Sequence, residues 1–399
     1  MVQCRPPPPS GPSCTSEEMR PGHVRTLLAS LFFAPAAFGK IAPKVMIVSM
    51  FINEQDAWWG IPEFNVLEKN ITVPGLSPIF PQIHCTKNTD ICQVTTGEGE
   101  INAASTLTAL LYSKKFDLTS TYWLIAGIAG VNPKVATIGS VTFARYAVHV
   151  GLQYEIDARQ MPSNFSTGYF PQGSSQPGVF PPELYGTEVF EVNEPLRQIA
   201  YHLAKNATLA DNDAARAQRR LYAATPGFAA GGSPAGVGVY LCDTATSDQY
   251  WDGSLLGEAF ENTTSVWTNG TGVYCTTQQE DNATLEALLR GTLAKLTDYS
   301  RVIIMRTASD FDRAPAGEST YDSLTGDTPG FGPSILNLHL AGVKVVEAIV
   351  GDWHATYKKG IKATNYIGDA WGSLGGQPDF GPGSIFGGKG AFVDDDEED

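Results

Sequence analysis

Acidic side chains follow several predicted strands of this sequence, and they are groups that can carry acid–base chemistry. Glu54 comes shortly after the apolar run VMIVSMF, Glu280 stands in the segment TQQED, and Asp310 ends the segment RTASD. A carboxylic acid can donate a proton and a carboxylate can accept one from water, if burial or a neighbour shifts its pKa towards the working pH. These three residues are therefore the first candidates for catalysis.

Each candidate also has a structural explanation. Asp310 follows a predicted strand and can cap the next helix. Glu280 and Asp281 open a predicted helix, where the helix dipole favours negative charge in any case. Arg306 can equally serve in a structural ion pair. We favour catalysis for Asp310 because Arg306, Ser309 and Asp310 occur together in one short segment.

The elements that must position these residues alternate between strands and helices. The strands are predicted at 45–51, 92–96, 122–126, 141–149, 237–241 and 302–305. The helices are predicted at 101–111, 196–203, 282–296 and 335–349. This alternation predicts an α/β fold with helices on both faces of the sheet, in which ligands bind at the carboxyl ends of strands. A Pro-, Gly- and Ser-rich stretch at 161–182 predicts a long surface loop, and the Gly-rich sequence from Gly368 predicts loose order.

Composition limits the class of protein. The 399 residues are 42% hydrophobic and 17% charged, with a formal net charge of −15, which suits a folded chain with a full core. This acidity argues against a nucleic-acid partner, because phosphate contacts need a concentrated basic surface. The terminal run Asp394–Asp399 is acidic throughout and predicts a solvated tail at 394–399.

The N-terminal region has the layout of a secretory signal. Residues 1–18 form a Pro-rich leader without pattern, and residues 19–39 contain a basic start, a short apolar run and small residues before Lys40. A membrane anchor or a buried helix is the alternative, but the apolar run is shorter than the roughly 20 residues that span a bilayer. We therefore expect translation from Met19, cleavage before Lys40, a single domain at 40–393, and a secreted or cell-wall-associated protein without a later membrane span.

The sequons and cysteines also indicate the secretory route. Six N-x-S/T sequons predict glycosylation at Asn70, Asn164, Asn206, Asn262, Asn269 and Asn282. Four cysteines follow the predicted signal, and Cys85 and Cys92 flank a short polar turn that favours a local disulfide. Cys242 and Cys275 would then form the second. A zinc site is the alternative, but neither CxxC nor HxxxH spacing occurs, so no metal or other cofactor is predicted.

Several longer segments resemble a known family. TGEGEINAASTLTALL, YWLIAGIAGVNPKVATIGSVTFARYAVHVG and IIMRTASD are similar to segments of the nucleoside phosphorylase and nucleosidase superfamily. Within it, the segments MFxxE, DxxxxDxxWxG, QxED and GPSxxNxxLAGxxVVxxIV resemble the purine nucleoside permease family, over about residues 43–350. The resemblance implies a three-layer αβα fold with a mixed central sheet, nucleoside phosphorylase-like, and a homo-oligomer, since superfamily relatives are commonly dimers or trimers.

The resemblance also implies roles for individual residues. Asp310 would protonate the purine ring nitrogen as the N-glycosidic bond breaks. Glu280 would hold the ribose hydroxyls, and Glu54 would lie near the water nucleophile. The residues expected to contact the base are Asp243, Trp251 and Ser309. Arg306 is expected to support the site, and its backbone floor is expected to be formed by Ile128, Ala129 and Gly130. For Trp251 a plain core position is an equal alternative.

The charges of the first loops bear on the reaction. A phosphorylase must hold phosphate, normally with arginines. No Lys or Arg occurs between Lys44 and Lys69, and only Lys87 occurs between Lys69 and Lys114. The resemblance together with this charge pattern predicts hydrolysis of a purine nucleoside to free base and ribose. A nucleoside-binding component of transport is the first alternative, and a structural wall or lectin-like protein ranks last.

Overall fold

The structure is a computed structural model, and it describes residues 39–182 and 184–378. The predicted leader at 1–18, nearly all of the predicted signal at 19–39 and the predicted tail at 394–399 lie outside these residues. From Lys40 onwards the described residues belong to one unit of the chain.

Strands and helices alternate along this unit. The strands are β1 Val45–Ser49, β2 Lys69–Thr72, β3 Gln82–Cys85, β4 Ile91–Thr95, β5 Tyr122–Val131, β6 Val141–Ala144, β7 Tyr146–His149, β8 Tyr154–Glu155, β9 Tyr169–Phe170, β10 Val189–Glu191, β11 Val239–Leu241, β12 Asp243–Thr246, β13 Tyr274–Gln278, β14 Val302–Phe311 and β15 Gly368–Asp369. The α-helices are α1 Ile52–Asp56, α2 Glu100–Leu111, α3 Glu194–Ala204, α4 Asp213–Ala223, α5 Ser254–Trp267, α6 Asp281–Leu293, α7 Thr320–Thr325 and α8 Phe331–Gly351.

The β1 strand shows how the sequence builds three layers. Its β-branched residues suit a strand buried on both faces, and successive side chains point to opposite sides. Met46 and Val48 pack in one core with residues of α2 and α6. Val45 and Ile47 pack in a second core with residues of α3 and α8. The sheet thus lies between two helical layers.

The central sheet is mixed. β1 pairs in parallel with β4 and β5, and β5 also pairs in parallel with β14. On its other side, the end of β5 pairs antiparallel with β13. The predicted three-layer α/β fold with a mixed sheet is confirmed, and the second half of β5 lies between two strands that both carry polar residues.

Some predicted elements differ from those in the structure. β5 and β14 each run to 10 residues, because the segments GIAG and RTASD continue the strands instead of leaving them. The strand predicted at 141–149 is broken at Arg145 into β6 and β7. The helices α4 and α5 and the strand β13 were not predicted, since their sequences are rich in polar residues and tertiary packing decides their conformation. The predicted loop at 161–182 contains just β9, whereas Gly368 and Asp369 pair with β10 instead of being loose.

Both predicted disulfides are present. Cys85 pairs with Cys92, and Cys242 pairs with Cys275. Such bonds are compatible with an extracellular protein, because they persist in oxidising compartments.

The predicted sequons differ in exposure. The exposed or half-exposed ones are Asn70, Asn164, Asn206, Asn262 and Asn269. Asn282 is different, since it is 1% exposed, its amide nitrogen donates to Thr187 O at 2.8 Å, and its Oδ1 accepts from Thr246 at 2.7 Å. The folded chain leaves no room for a glycan on Asn282, so the structure argues against that predicted site.

Among the described residues, α8 is the one helix with the length and composition of a membrane span, and half of that stretch is buried inside the protein. Leu338, Ala341 and Val345 of α8 pack in the second core against the sheet. The helix therefore serves as a core element of this unit.

Candidate functional site

A cavity of about 290 Å³ opens where β5, β14 and β13 meet. Its walls come from the end of β1, the start of α1, the loop after β12 and the start of α8. The polar residues that line it are Glu54, Glu98, Gln249, Tyr250, Thr277, Gln278, Gln279, Glu280, Arg306, Ser309, Asp310 and Thr328. A ligand of nucleoside size can be enclosed there on several sides.

A bulge in β14 places Ser309 and Asp310 at the cavity. Ala308 pairs with Ala129 of β5 and Asp310 pairs with Gly130, so Ser309 is an extra residue in the ladder. Bulges of this kind change the direction of side chains and are common beside functional sites. Both Ser309 and Asp310 consequently line the cavity.

The Asp310 carboxyl group is held by two hydroxyls. Ser309 Oγ lies 2.5 Å from Oδ1, and the Tyr250 hydroxyl donates to Oδ2 at 2.6 Å. Burial raises the pKa of Asp310 above its ordinary value, and the hydrogen bonds from Ser309 and Tyr250 lower it in part. This environment favours a protonated carboxyl more than water does, as a general acid requires.

Glu54 lies on α1 at another part of the cavity wall and is 2% exposed. Its two oxygens accept hydrogen bonds from the backbone N–H groups of Ile128 and Met50, each at 2.7 Å. Burial raises the pKa of Glu54 to about 8, with Arg306 acting in the opposite direction and Glu280 adding to the rise. A carboxylate with this pKa is a strong enough base to accept a proton from a polarised water.

Glu280 lies at the start of α6 and is 4% exposed. Its Oε1 accepts from the Gly99 N–H at 3.0 Å, and burial raises its pKa. Gly97 and Gly99 both have positive φ, 88° and 86°, so the segment TGEG forms a tight turn that brings the Gly99 amide to this carboxylate. Gln278 caps α6 in turn, since its Oε1 accepts from the Glu280 N–H at 2.8 Å.

Arg306 is bound by acidic residues of α6. Its Nη2 lies 2.5 Å from Asp281 Oδ1 and 3.4 Å from Glu280 Oε2, and its Nη1 donates to Ile128 O at 3.1 Å. Arg306 is 1% exposed, so this network is shielded from solvent. Arg306 therefore forms the structural ion pair that was one of its two sequence interpretations, with Asp281 and Glu280 as its acidic partners.

The β5 segment of Ile128, Ala129 and Gly130 forms the floor of the cavity, and all three residues line it. A Cβ added to Gly130 would come within 2.4 Å of Thr277 Oγ1. At Gly127 an added Cβ would lie 2.6 Å from Arg306 Nη1 and 2.7 Å from Glu54 Oε1. The glycines in GIAG therefore permit the close approach of charged side chains to the strand.

Apolar side chains form the remaining wall: Met50, Phe51, Trp251 and Phe331. Trp251 is 8% exposed and packs edge-on against Phe260 of α5, with ring centroids 4.9 Å apart. It is thus a core residue that also lines the cavity, and its contact with a base stays a prediction.

Asp243 is the one proposed site residue that does not reach the cavity. Its Oδ1 accepts from the N–H groups of Arg145 and Tyr146 at 2.8 and 2.9 Å, and its Oδ2 accepts from Val273 N at 2.8 Å. Asp243 is the first residue of β12, and its carboxylate connects the chain between β6 and β7 to the residue before β13. The expected contact of Asp243 with a base is therefore not supported, and the side chain has a structural place.

Sequence reasoning missed Tyr250 and Asp281 as partners of the site. Tyr250 follows β12 in the segment SDQYWDG, and its approach to Asp310 depends on how the loop folds back over β14. Asp281 was visible as the neighbour of Glu280, but its pairing with Arg306 needs α6 and β14 side by side. Over residues 39–182 and 184–378, no group of three or more His, Cys, Asp or Glu residues is placed to hold a metal ion.

Solved structures with detectable similarity include a 5′-methylthioadenosine/S-adenosylhomocysteine nucleosidase from Neisseria meningitidis, with 15% identity and a TM-score of 0.43 over 76% of this chain and 99% of that one. A futalosine hydrolase of Helicobacter pylori aligns with 14% identity and a TM-score of 0.43, over 76% of this chain and 98% of its own.

Relatives found by sequence show much higher identity than these solved structures. A purine nucleoside permease of Candida albicans is 46% identical over 359 residues, which are 87% of this chain and 86% of the relative. A probable purine nucleoside permease of Schizosaccharomyces pombe is 42% identical over 350 residues, covering 83% and 97% of the two chains. The family model described as purine nucleoside permease matches residues 42–362. The chain belongs to the purine nucleoside permease family.

Proposed function

We propose that this protein binds purine nucleosides in the cavity and hydrolyses their N-glycosidic bond, releasing free base and ribose. Asp310 gives its proton to a ring nitrogen of the purine as the bond between base and anomeric carbon breaks. A water attacks the anomeric carbon and passes a proton to Glu54. The carboxylate of Glu280 accepts hydrogen bonds from the ribose hydroxyls and stabilises positive charge that develops on the sugar.

The observation that carries this proposal is the placement of Asp310 and Glu54 on one cavity, each with a pKa raised by burial. Acid and base catalysts work best with pKa values near the operating pH, and ordinary surface carboxyls titrate far below it. The family name of the relatives supplies the purine nucleoside as the ligand class.

The charge of the cavity supports water over phosphate as the nucleophile. Of the described residues that line it, Arg306 alone carries a positive charge, and Asp281 binds that guanidinium at 2.5 Å. The carboxyl groups of Glu54, Glu98 and Glu280 share the same space. A phosphate dianion would meet uncompensated negative charge, whereas a neutral water and a neutral nucleoside would not.

The same activity can serve nucleoside uptake, which the name permease of the relatives suggests. We place the protein outside the cell, because two disulfides support the signal predicted at 19–39. Bases released there would be available to base transporters.

Base release measures this function directly. Secreted protein is incubated with inosine, guanosine and adenosine in phosphate-free buffer, and free base is quantified by chromatography, with a parallel sample containing phosphate. Release of base and ribose without phosphate is expected. Release that needs phosphate, with ribose 1-phosphate as the product, would overturn hydrolysis.

Binding without turnover is the second candidate, suggested by the name permease of the sequence relatives. A nucleoside carrier needs the cavity but no proton transfer. Isothermal titration with inosine distinguishes the two, since saturable heat of binding with no base in the recovered sample would identify a carrier.

A further inference from the structure

The side chain of Tyr250 is exposed to solvent, but its hydroxyl is hydrogen-bonded to Asp310. The residue is 58% exposed, yet its hydroxyl donates to Asp310 Oδ2 at 2.6 Å. The proposed reaction assigns nothing to this side chain. An exposed tyrosine at the mouth of a cavity needs no partner on the protein, since water can satisfy its hydroxyl, so the contact calls for an explanation.

The loop that carries Tyr250 is fixed at the other end of the cavity. The Asp248 carbonyl accepts from Gln279 Nε2 at 2.7 Å, and Asp248 Oδ1 accepts from the Glu100 N–H at 2.8 Å. The Ser247 N–H donates to Gln278 O at 3.0 Å. These bonds anchor the loop, two and three residues before Tyr250, to α2 and to the segment that holds Glu280.

The two oxygens of the Asp310 carboxyl group need separate hydrogen-bond donors. Ser309 Oγ has one proton and two acceptors within reach, Asp310 Oδ1 at 2.5 Å and Ala129 O at 3.0 Å. It can therefore serve one carboxylate oxygen at most. Oδ2 lies towards the floor, because a Cβ on Gly130 would be 3.2 Å from it, and the donor it has in the described residues is Tyr250.

We propose that Tyr250 is a positioning residue for Asp310, whose hydroxyl orients the carboxyl group and donates to Oδ2 as negative charge develops there during proton transfer to the ligand. This inference rests on the proposed function. In the proton transfer, the O–H bond of the Asp310 carboxyl group breaks and a bond forms between that proton and the purine nitrogen. The electron pair of the broken bond stays on Oδ2. Hydrogen bonds to a charged acceptor are about twice as strong as neutral ones, so the contact strengthens as the reaction proceeds.

The other groups around Asp310 do not replace this donor. The titratable groups that face it are Tyr222 of α4, Tyr250 and Asp252 of the loop, and Asp312 at the end of β14. None of them is a cation, and the guanidinium of Arg313 is bound to Asp312 at 2.8 Å. Ionised Asp310 therefore depends on hydroxyl donors, of which Tyr250 serves the oxygen beside the floor.

The test is the variant Tyr250→Phe, which keeps the ring and removes the donor. The matched control is Tyr112→Phe, at the end of α2 and 63% exposed. With inosine as substrate we expect kcat/KM to fall roughly 10- to 100-fold in Tyr250→Phe, as for a lost hydrogen bond to a charged group. Loss of the donor also raises the pKa of Asp310, so the alkaline limb of the pH profile should move to higher pH. Tyr112→Phe should match the wild type in both.

A structural role for Tyr250 gives a different result. If the tyrosine merely braces the loop, activity falls while the alkaline limb stays in place, and this outcome overturns the inference. Unchanged activity and an unchanged limb overturn it as well. If the wild-type protein releases no base at all, the proposed function fails by itself.

Titration of the Asp310 carboxyl group by ¹³C NMR, assigned by its absence in Asp310→Asn, tests the contact without turnover. The pKa of Asp310 is expected to rise in Tyr250→Phe without any added nucleoside. An unchanged pKa would contradict the role of the hydroxyl as a donor to the ionised group.

Discussion

Nη2 of Arg306 lies 2.5 Å from Oδ1 of Asp281, so this cationic side chain on the cavity wall is bound by the first residue of α6. The same guanidinium reaches Glu280 and lowers the pKa of Glu54. Arg306 thus offsets part of the negative charge of three acidic residues and is not free to hold an anionic ligand. Its position explains how several carboxylates can be buried close together.

Removal of Arg306 should destabilise the fold strongly. Arg306→Ala leaves Asp281 and Glu280 buried without their counter-charge, and breaking a buried pair in this way costs about 3–5 kcal/mol. The matched control is Arg216→Ala, because Arg216 is 47% exposed and its ion pairs with Asp213 and Asp211 lie where solvent screens them. Urea unfolding of both variants measures the difference. Equal losses would show that the buried network is not a stabilising unit.

Activity should fall on the acidic side of about pH 8. Burial raises the pKa of Glu54 to about 8, and the base must be ionised, so protonation below that pH removes the active form. We expect kcat/KM to drop by about tenfold per pH unit below this value, in the free protein. Glu54→Gln should abolish turnover, whereas Asp56→Asn, an exposed carboxylate on the same helix, should keep the wild-type profile. A flat profile through this range would refute Glu54 as the base.

Asp310→Asn should remove turnover and preserve binding. The amide keeps the shape of the carboxyl group but cannot give up a proton to the purine, and loss of general-acid catalysis costs about 10²- to 10⁴-fold in rate. The control is Asp213→Asn, whose side chain is 99% exposed. Single-turnover base release gives the rate, and calorimetric titration with inosine gives the affinity. Full activity in Asp310→Asn would exclude it as the acid.

The two disulfides should differ in their contribution to stability. The bond between Cys242 and Cys275 closes a separation of 33 residues, against 7 for Cys85 and Cys92. Loop-closure entropy then gives about 4 kcal/mol for the first and about 2 kcal/mol for the second. Unfolding of the two double-alanine variants in denaturant tests the order. A larger loss on removal of the short-range bond would contradict the entropic explanation.

The sequence was most informative where local pattern decides structure. The β-branched run at β1 and the two cysteine pairs were predicted from local pattern, and the structure agrees with both. The acidic residues Glu54, Glu280 and Asp310 were expected at strand and helix ends, and they do meet at one cavity.

The remaining features depend on contacts between distant segments. Asp243 was assigned to the base because it lies in a segment beside Trp251, but a short strand starts there and backbone amides take up its carboxylate. Tyr250 was missed because its partner lies 60 residues away along the chain. Asn282 matches a sequon, but helix α6 turns it towards Thr246 and Thr187. In each case the spacing of residues could not reveal which groups the fold brings together.

The glycine-built floor has a consequence for how this family can diverge. A side chain at position 127 would collide with Glu54 and Arg306, and one at position 130 with Thr277, so we expect substitutions at both positions to be disfavoured. The backbone of this segment also holds Glu54, Arg306 and Ser309 through hydrogen bonds. New ligand preferences should accordingly evolve through the loop around Tyr250 and the apolar wall, while the floor stays the same in descendants of this chain.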